Sequence, residues 1–221
     1  GPIYKGLFFM HLIHRGIINK NFKENCLESF KASFKKKYGI ETDIHATKDK
    51  KFVCFHDFTL KRIFKINKSI KDIKYQELKK IKYKSFKIPL LAEVLKLSKN
   101  KYPIFIEIKP FLEKRLLSKL INETKGFNKV VFISFNKDNI DNLLKINSSI
   151  KVGLSFSNRS SIKSILKSSI NKKLKCLILD KKFLKKKKIQ KIKKEKYYYT
   201  IKNKNYFLKY RKNYNLIFEN L

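Results

Sequence analysis

Glu41 and Asp43 stand at i and i+2 in the run Gly39-Ile40-Glu41-Thr42-Asp43-Ile44. On an extended chain that spacing turns both carboxylates to one face, about 7 Å apart along the strand. Glu107 and Lys109 repeat the pattern inside Ile104-Phe105-Ile106-Glu107-Ile108-Lys109. Acids are scarce here, 17 Asp plus Glu against 55 Lys plus Arg. An acid embedded in an apolar strand of such a chain is therefore no incidental surface residue. Burying a carboxylate pair is costly unless cations or a metal offset it. Two arrangements meet that demand. Glu41, Asp43 and Glu107, drawn from two strands, suit a hard divalent cation such as Mg²⁺ or Ca²⁺. An internal salt-bridge network joining Glu107 and Asp43 to Lys109 and Arg15 meets it as well.

The four histidines are His11, His14, His45 and His56. His14 ends an apolar run and is followed by Arg15-Gly16. His56 follows Phe52-Val53-Cys54-Phe55 and precedes Asp57. Two imidazoles delivered by two strands can act as acid and base near neutral pH. Taken singly, each is equally a hydrogen-bonded structural residue.

The elements that must position these groups alternate in type. Short apolar runs predict strands at Leu7–Ile13, Gly39–Ile44, Phe52–Phe55, Pro103–Ile108, Val130–Phe135, Lys151–Phe156, Leu174–Leu179, Tyr197–Ile201 and Asn215–Phe218. Amphipathic segments predict helices at Asn25–Lys37, Leu90–Lys99, Glu113–Thr124, Asp138–Ile146, Ser161–Ser169, Lys182–Lys194 and Asn205–Arg211. A further short helix is expected around Gln76–Ile81. Strands separated by helices of this length imply an α/β fold with a largely parallel sheet. Eight such units close into a TIM-like (β/α)8 barrel, whose active-site residues sit at the C-terminal strand ends. Nine strand candidates for eight places leave one surplus. The gap from Ile44 to Phe52 is too short for a crossover helix, so the irregularity falls between the second and third strands. No linker or repeat divides the chain, and residues 1–221 read as one barrel domain.

The formal net charge is +38. Such a charge attracts polyanions, anionic lipid surfaces and phosphate-bearing substrates. Only five of the basic residues are Arg, and Arg is the residue that pairs bidentately with phosphates and bases. No specific nucleic-acid partner is expected, although a basic nucleic-acid binder without activity is the competing class. No apolar run approaches the roughly 18–20 residues that span a bilayer. Cys26, Cys54 and Cys176 are odd in number and widely spaced, which fits a reduced, cytoplasmic setting. The opening Gly1-Pro2 reads as a remnant of protease cleavage.

Taken in order, several strings resemble the glycerophosphodiester phosphodiesterase family. They are His14-Arg15-Gly16, Glu24-Asn25, the stretch from Glu41-Thr42-Asp43 to Lys48-Asp49, and Val53-Cys54-Phe55-His56-Asp57 through Leu60-Lys61-Arg62. Ile88-Pro89-Leu90-Leu91-Ala92-Glu93, Ile106-Glu107-Ile108-Lys109 and Ser134-Phe135-Asn136 follow. The resemblance implies a TIM-like barrel of the phosphodiesterase type and metal-dependent hydrolysis of glycerophosphodiesters to glycerol 3-phosphate and an alcohol. It implies a divalent cation held by Glu41, Asp43 and Glu107. It implies His14 and His56 as the acid/base pair, with Arg15, Lys109 and Asn25 on the phosphate side. Lysophospholipase D-type hydrolysis of lysolipids at a membrane surface is the close variant. The chain departs from the family pattern at Lys50, at Tyr199-Thr200-Ile201-Lys202 and at Phe218-Glu219-Asn220-Leu221. These departures bear on the alcohol side and on barrel closure.

Overall fold

A strand with helices on one face and a packed barrel interior on the other is buried on both sides, so its sequence reads as a continuous apolar run. Ile104-Phe105-Ile106-Glu107-Ile108 and Val130-Val131-Phe132-Ile133-Ser134 are runs of this kind. The computed structural model describes residues 9–82 and 86–219. Residues 7 and 8 of the first strand candidate, and Asn220 and Leu221, lie outside the described residues.

The chain opens with β1 (Leu12–His14), α1 (Leu27–Lys35), β2 (Gly39–Ala46) and β3 (Phe52–Cys54). Two four-residue helices follow, α2 (Lys61–Phe64) and α3 (Tyr75–Leu78), and then α4 (Leu91–Ser98). Regular units come next: β4 (Ile104–Ile108), α5 (Lys114–Glu123), β5 (Val130–Ser134), α6 (Lys137–Ile146), β6 (Val152–Phe156), α7 (Ile162–Ser169) and β7 (Cys176–Asp180). The last elements are α8 (Lys187–Gln190), β8 (Glu195–Ile201), α9 (Lys204–Tyr210) and β9 (Asn215–Phe218). Strands β1, β2, β4, β5, β6, β7, β8 and β9 pair in parallel as a ring that closes where β9 meets β1. The expected eight-stranded α/β barrel is the fold.

The surplus strand is β3. It runs antiparallel to β2, pairing Ile44 with Cys54 and Ala46 with Phe52. The cause lies in a mismatch of lengths. β1 pairs β2 only from Gly39 to Glu41, so the upper half of that β2 edge has no barrel neighbour. The chain folds back into the vacancy, and the Phe55 N–H donates to the Asp43 carbonyl at 3.0 Å. His56 therefore arrives from this returning strand and not from a barrel strand.

The predicted helix over Lys182–Lys194 is broken. A 3-10 turn covers Lys181–Phe183 and α8 only Lys187–Gln190. Its lysines fall at i and i+4, as with Lys181 and Lys185 or Lys187 and Lys191, and such like-charge pairs oppose helix. Its apolar residues Phe183, Leu184 and Ile189 are nevertheless buried. The short helix expected at Gln76–Ile81 appears at Tyr75–Leu78.

Apolar packing separates into three clusters. One fills the space between the strands and the outer helices. A second fills the lower barrel interior with Leu12, Phe105, Val131, Cys176, Ile178, Tyr197 and neighbours. The third belongs to the excursion after β3, where Val53, Phe55, Leu60, Phe64, Ile70 and Phe86 pack together. That last cluster is what holds the segment carrying His56. Phe55→Ala removes a ring that is 1% exposed from it. A loss of about 3–5 kcal/mol is expected, read as a lower midpoint in urea unfolding of the variant.

Candidate active site

The parallel register of β2 and β4 sets Asp43 beside Glu107, and paired residues face the same side of a sheet. Glu41, two residues earlier, shares that inward face. The three carboxylates each offer an oxygen, all within 4.8 Å of one another. The apolar interior cluster lies beneath them as a floor that excludes water.

Cations reach two of the three acids. Lys109, two residues past Glu107, puts Nζ 2.9 Å from a Glu107 oxygen and 3.7 Å from Asp43. Arg15 Nε stands 3.1 Å from the other Asp43 oxygen. The backbone turns sharply to allow this, with φ of 58° at Arg15 and 77° at Gly16. Gly16 is required there, since a Cβ would meet the Ser29 hydroxyl at 2.4 Å. Glu41 is different. Both its oxygens are buried and accept no hydrogen bond, and His14 Nε2 stands 3.8 Å away.

Electrostatics follow the geometry. Burial, reinforced by Asp43 and Glu107, pushes the Glu41 carboxyl well above the usual range. Burial, with Asp43 beside it, raises Glu107 to about 7 against the pull of Lys109. Asp43 is buried too, but Arg15 and Lys109 outweigh the burial and bring it below its ordinary value. Of the two arrangements open from the sequence, the salt-bridge network is present, yet it leaves Glu41 without a partner. Three carboxylates around two cations, with two orphaned buried oxygens, fit a bound hard cation.

The two imidazoles flank this cluster, and each is held by an acid. His14 Nδ1 is 2.8 Å from a Glu219 oxygen, and Lys202 pairs with the other Glu219 oxygen at 2.7 Å. Burial opposes ionisation of Glu219, but the bonds to His14 and Lys202 win and bring it to about 2. His56 Nδ1 is 2.6 Å from Asp57. Arg62 grips Asp57 at 2.6 Å and Glu24 at 2.5 Å, and Glu24 reaches back to Arg15 at 3.4 Å. An ionised carboxylate only accepts, so each Nδ1 carries a proton, and each Nε2 is left without a hydrogen-bond partner, able to take or give one. Burial lowers the His56 pKa against the pull of Asp43 and Asp57.

A cavity above the acids is lined by His14, Arg15, Glu41, His56, Glu107 and Lys109 on one side. Ile133, Phe135, Ile178, Tyr199 and Thr200 form the other. Asn25 does not reach it, which corrects its expected place on the phosphate side. Its side chain is fully buried, with φ of 55°. The amide donates to Asp43 at 3.0 Å, and Thr42 donates to its carbonyl at 2.7 Å. Asn25 fixes Asp43 from behind. His11 and His45 are also elsewhere. His11 accepts the Leu216 N–H, and His45 bonds the His56 carbonyl.

Glu219 carries no role in the sequence reading. The available signal was a rare acid placed directly after the apolar run Asn215–Phe218. The Glu24–Arg62–Asp57 chain spans residues far apart in sequence, and no local pattern announces it.

A match to the glycerophosphoryl diester phosphodiesterase family covers residues 14–212. A glycerophosphodiester phosphodiesterase from Caldanaerobacter subterraneus is 33% identical over 159 residues, 65% of either chain. A human lysophospholipase D is 32% identical over 161 residues, 64% of this chain and 50% of its own. The chain thus spans about two thirds and one half of these two relatives. Among solved structures, a glycerophosphodiester phosphodiesterase from Thermotoga maritima superposes with a TM-score of 0.80 at 24% identity, covering 96% of this chain and 94% of that one. An Oleispira antarctica phosphodiesterase, in complex with the product sn-glycerol-3-phosphate, gives 0.82 at 22% identity, covering 95% and 92%. Acids, imidazoles and basic residues gathered at the mouth of such a barrel, together with a match over nearly its whole length, place the chain in the glycerophosphoryl diester phosphodiesterase family.

Proposed function

We propose that this protein hydrolyses glycerophosphodiesters, releasing glycerol 3-phosphate and an alcohol. The observation that carries the reading is Glu41, a buried carboxylate with two unpartnered oxygens beside Asp43, Glu107 and two imidazoles. We assign Glu41, Asp43 and Glu107 as ligands of one divalent cation, magnesium or calcium, because every donor is a hard oxygen. Bound there, the cation supplies positive charge to a non-bridging phosphate oxygen.

The chain's own residues do the rest. Arg15 and Lys109 share the cavity wall with the acids and take up charge as it grows on the phosphate oxygens. The free Nε2 of one imidazole accepts the proton of the attacking hydroxyl. The other imidazole starts doubly protonated and gives its Nε2 proton to the alkoxide as the bond to phosphorus breaks, so the two rings end with their protonation states exchanged. Net, one water is consumed, one P–O bond is replaced by another, and the alcohol leaves neutral. Glu219 and Asp57 orient the two rings through Nδ1, so that proton exchange takes place at Nε2.

Opposite the acids and cations, the cavity is walled by Ile133, Phe135, Ile178 and Tyr199. That apolar wall favours, as a second reading, substrates whose glycerol half carries a hydrocarbon chain, as in a lysolipid, with the headgroup alcohol leaving. The bacterial and human relatives named above divide along the same line.

Turnover of glycerophosphocholine tests the main reading. Chelation abolishes it, and Mg²⁺ or Ca²⁺ restores it. The same ions raise the melting temperature of wild type, as a ligand of the folded state must, and fail to do so for Glu41→Gln. His14→Ala and His56→Ala each lower kcat by roughly 10²- to 10⁴-fold. If both variants stay folded and turn over like wild type, the mechanism is wrong. Glu219→Gln lowers kcat about 10- to 100-fold with KM nearly unchanged, and Glu219→Asp recovers part of the loss. An equal rise in KM alone rules out its positioning of His14.

A further inference from the structure

The chain has 19 phenylalanines. Among the described residues only three are exposed, Phe58 at 55%, Phe111 at 56% and Phe135 at 44%. Scattered exposed apolar residues are ordinary on a protein surface, but these three are not scattered. Phe58 follows His56 by two residues, Phe111 follows Lys109 by two, and Phe135 is itself in the cavity wall. They sit on the loops that leave β3, β4 and β5, where β4 and β5 are neighbours and β2 separates β4 from β3, so all three fall on one arc of the barrel mouth.

Two of them share a surface. Phe58 and Phe111 line one groove together with Leu112, Lys50 and Lys71. Basic residues surround the rings. Lys61, Lys65 and Lys68 are exposed after Phe58, Lys114 and Arg115 after Phe111, and Lys137 after Phe135. Phe58 and Phe135 each rest edge-on against one ring, His45 and Tyr199 respectively, and are otherwise exposed. Half-exposed rings among cations describe a surface that enters the boundary between headgroups and acyl chains of an anionic bilayer. Among the described residues no helix is long and apolar enough to cross a membrane, so such contact is peripheral.

We propose that this arc of the barrel mouth docks on an anionic lipid surface, with Phe58, Phe111 and Phe135 entering the interface and the flanking lysines meeting the headgroups. The choice of partner follows from charge and from place. The net charge of +38 complements an anionic surface, and the rings stand along one side of the entrance to the proposed phosphodiester site. Docking faces that entrance toward lipid, an orientation that rests on the phosphodiesterase reading above. A single-stranded nucleic acid also meets rings and cations, by stacking. Only five Arg among 55 basic residues make it the weaker fit.

The test uses the full chain with sedimenting vesicles of phosphatidylcholine alone or mixed with phosphatidylglycerol. Wild type binds the mixed vesicles and leaves the neutral ones. F111S weakens that binding roughly three- to tenfold, and the double variant F58S/F111S weakens it further. The chain contains no tryptophan, so F111W is a clean reporter whose emission shifts to the blue on mixed vesicles. Phe111 lies outside the catalytic cavity, and F111S keeps its turnover of water-soluble diester. Equal binding by wild type and F58S/F111S means adsorption through lysines alone and overturns the proposal. So does absence of binding, or an unshifted F111W emission. Single-stranded RNA that displaces the vesicles and itself shifts the F111W emission also overturns it, in favour of a nucleic-acid face. Vesicle binding without diester turnover leaves the docking face standing and removes the phosphodiesterase reading instead.

Discussion

Three carboxylates share the interior of a closed barrel with two cations. That imbalance is the constraint around which this protein is built. Asp43 is paired with Arg15 and Lys109, and Glu107 with Lys109. Glu41 is left with buried oxygens that nothing in the chain satisfies. Burial raises the pKa of such a group, and it keeps its charge only beside a positive charge from outside the chain. A protein that needed only a stable core would place an apolar residue there at lower cost. Glu41 is the residue of the group best placed to receive a cation.

The remaining architecture serves that cluster. The β2–β4 register puts Asp43 against Glu107. Asn25, folded behind β2, locks Asp43 in one orientation. The left-handed turn at Arg15-Gly16 swings a guanidinium back over the acids. Each imidazole is tied at Nδ1 by its own carboxylate, one from the closing strand and one from the loop after β3. Acids, rings and cations thereby face one cavity with their reactive atoms free. On the scale of the whole molecule the sign reverses. An overwhelmingly basic surface draws anions in, while the local cluster is acidic and could hold a metal ion.

The shortness of β1 decides much of this. A longer first strand would have filled the whole edge of β2, and His56 would have nowhere to enter. With three residues in β1, the upper edge is free for β3. The excursion that follows needs its own apolar cluster, because it lies outside the barrel's main packing. That cluster also carries Arg62, which links Asp57 to Glu24 and so couples the two sides of the site.

Strands, helices and the acids of the site were legible in the sequence because they rest on local periodicity. Alternation of apolar pentads with amphipathic segments specifies a parallel barrel, and i, i+2 spacing specifies a shared face. The same spacing left metal and salt bridge undecided, since it cannot count how many cations reach each oxygen. Only the folded chain does that, by bringing Arg15 and Lys109 to Asp43 and Glu107 and neither within bonding distance of Glu41. Tertiary structure also decided the direction of β3, the retreat of Asn25 behind Asp43, and the bond from Glu219 to a histidine 205 positions away. Each depends on which strand edges remain open once the ring closes, and no pattern within a window of sequence encodes that.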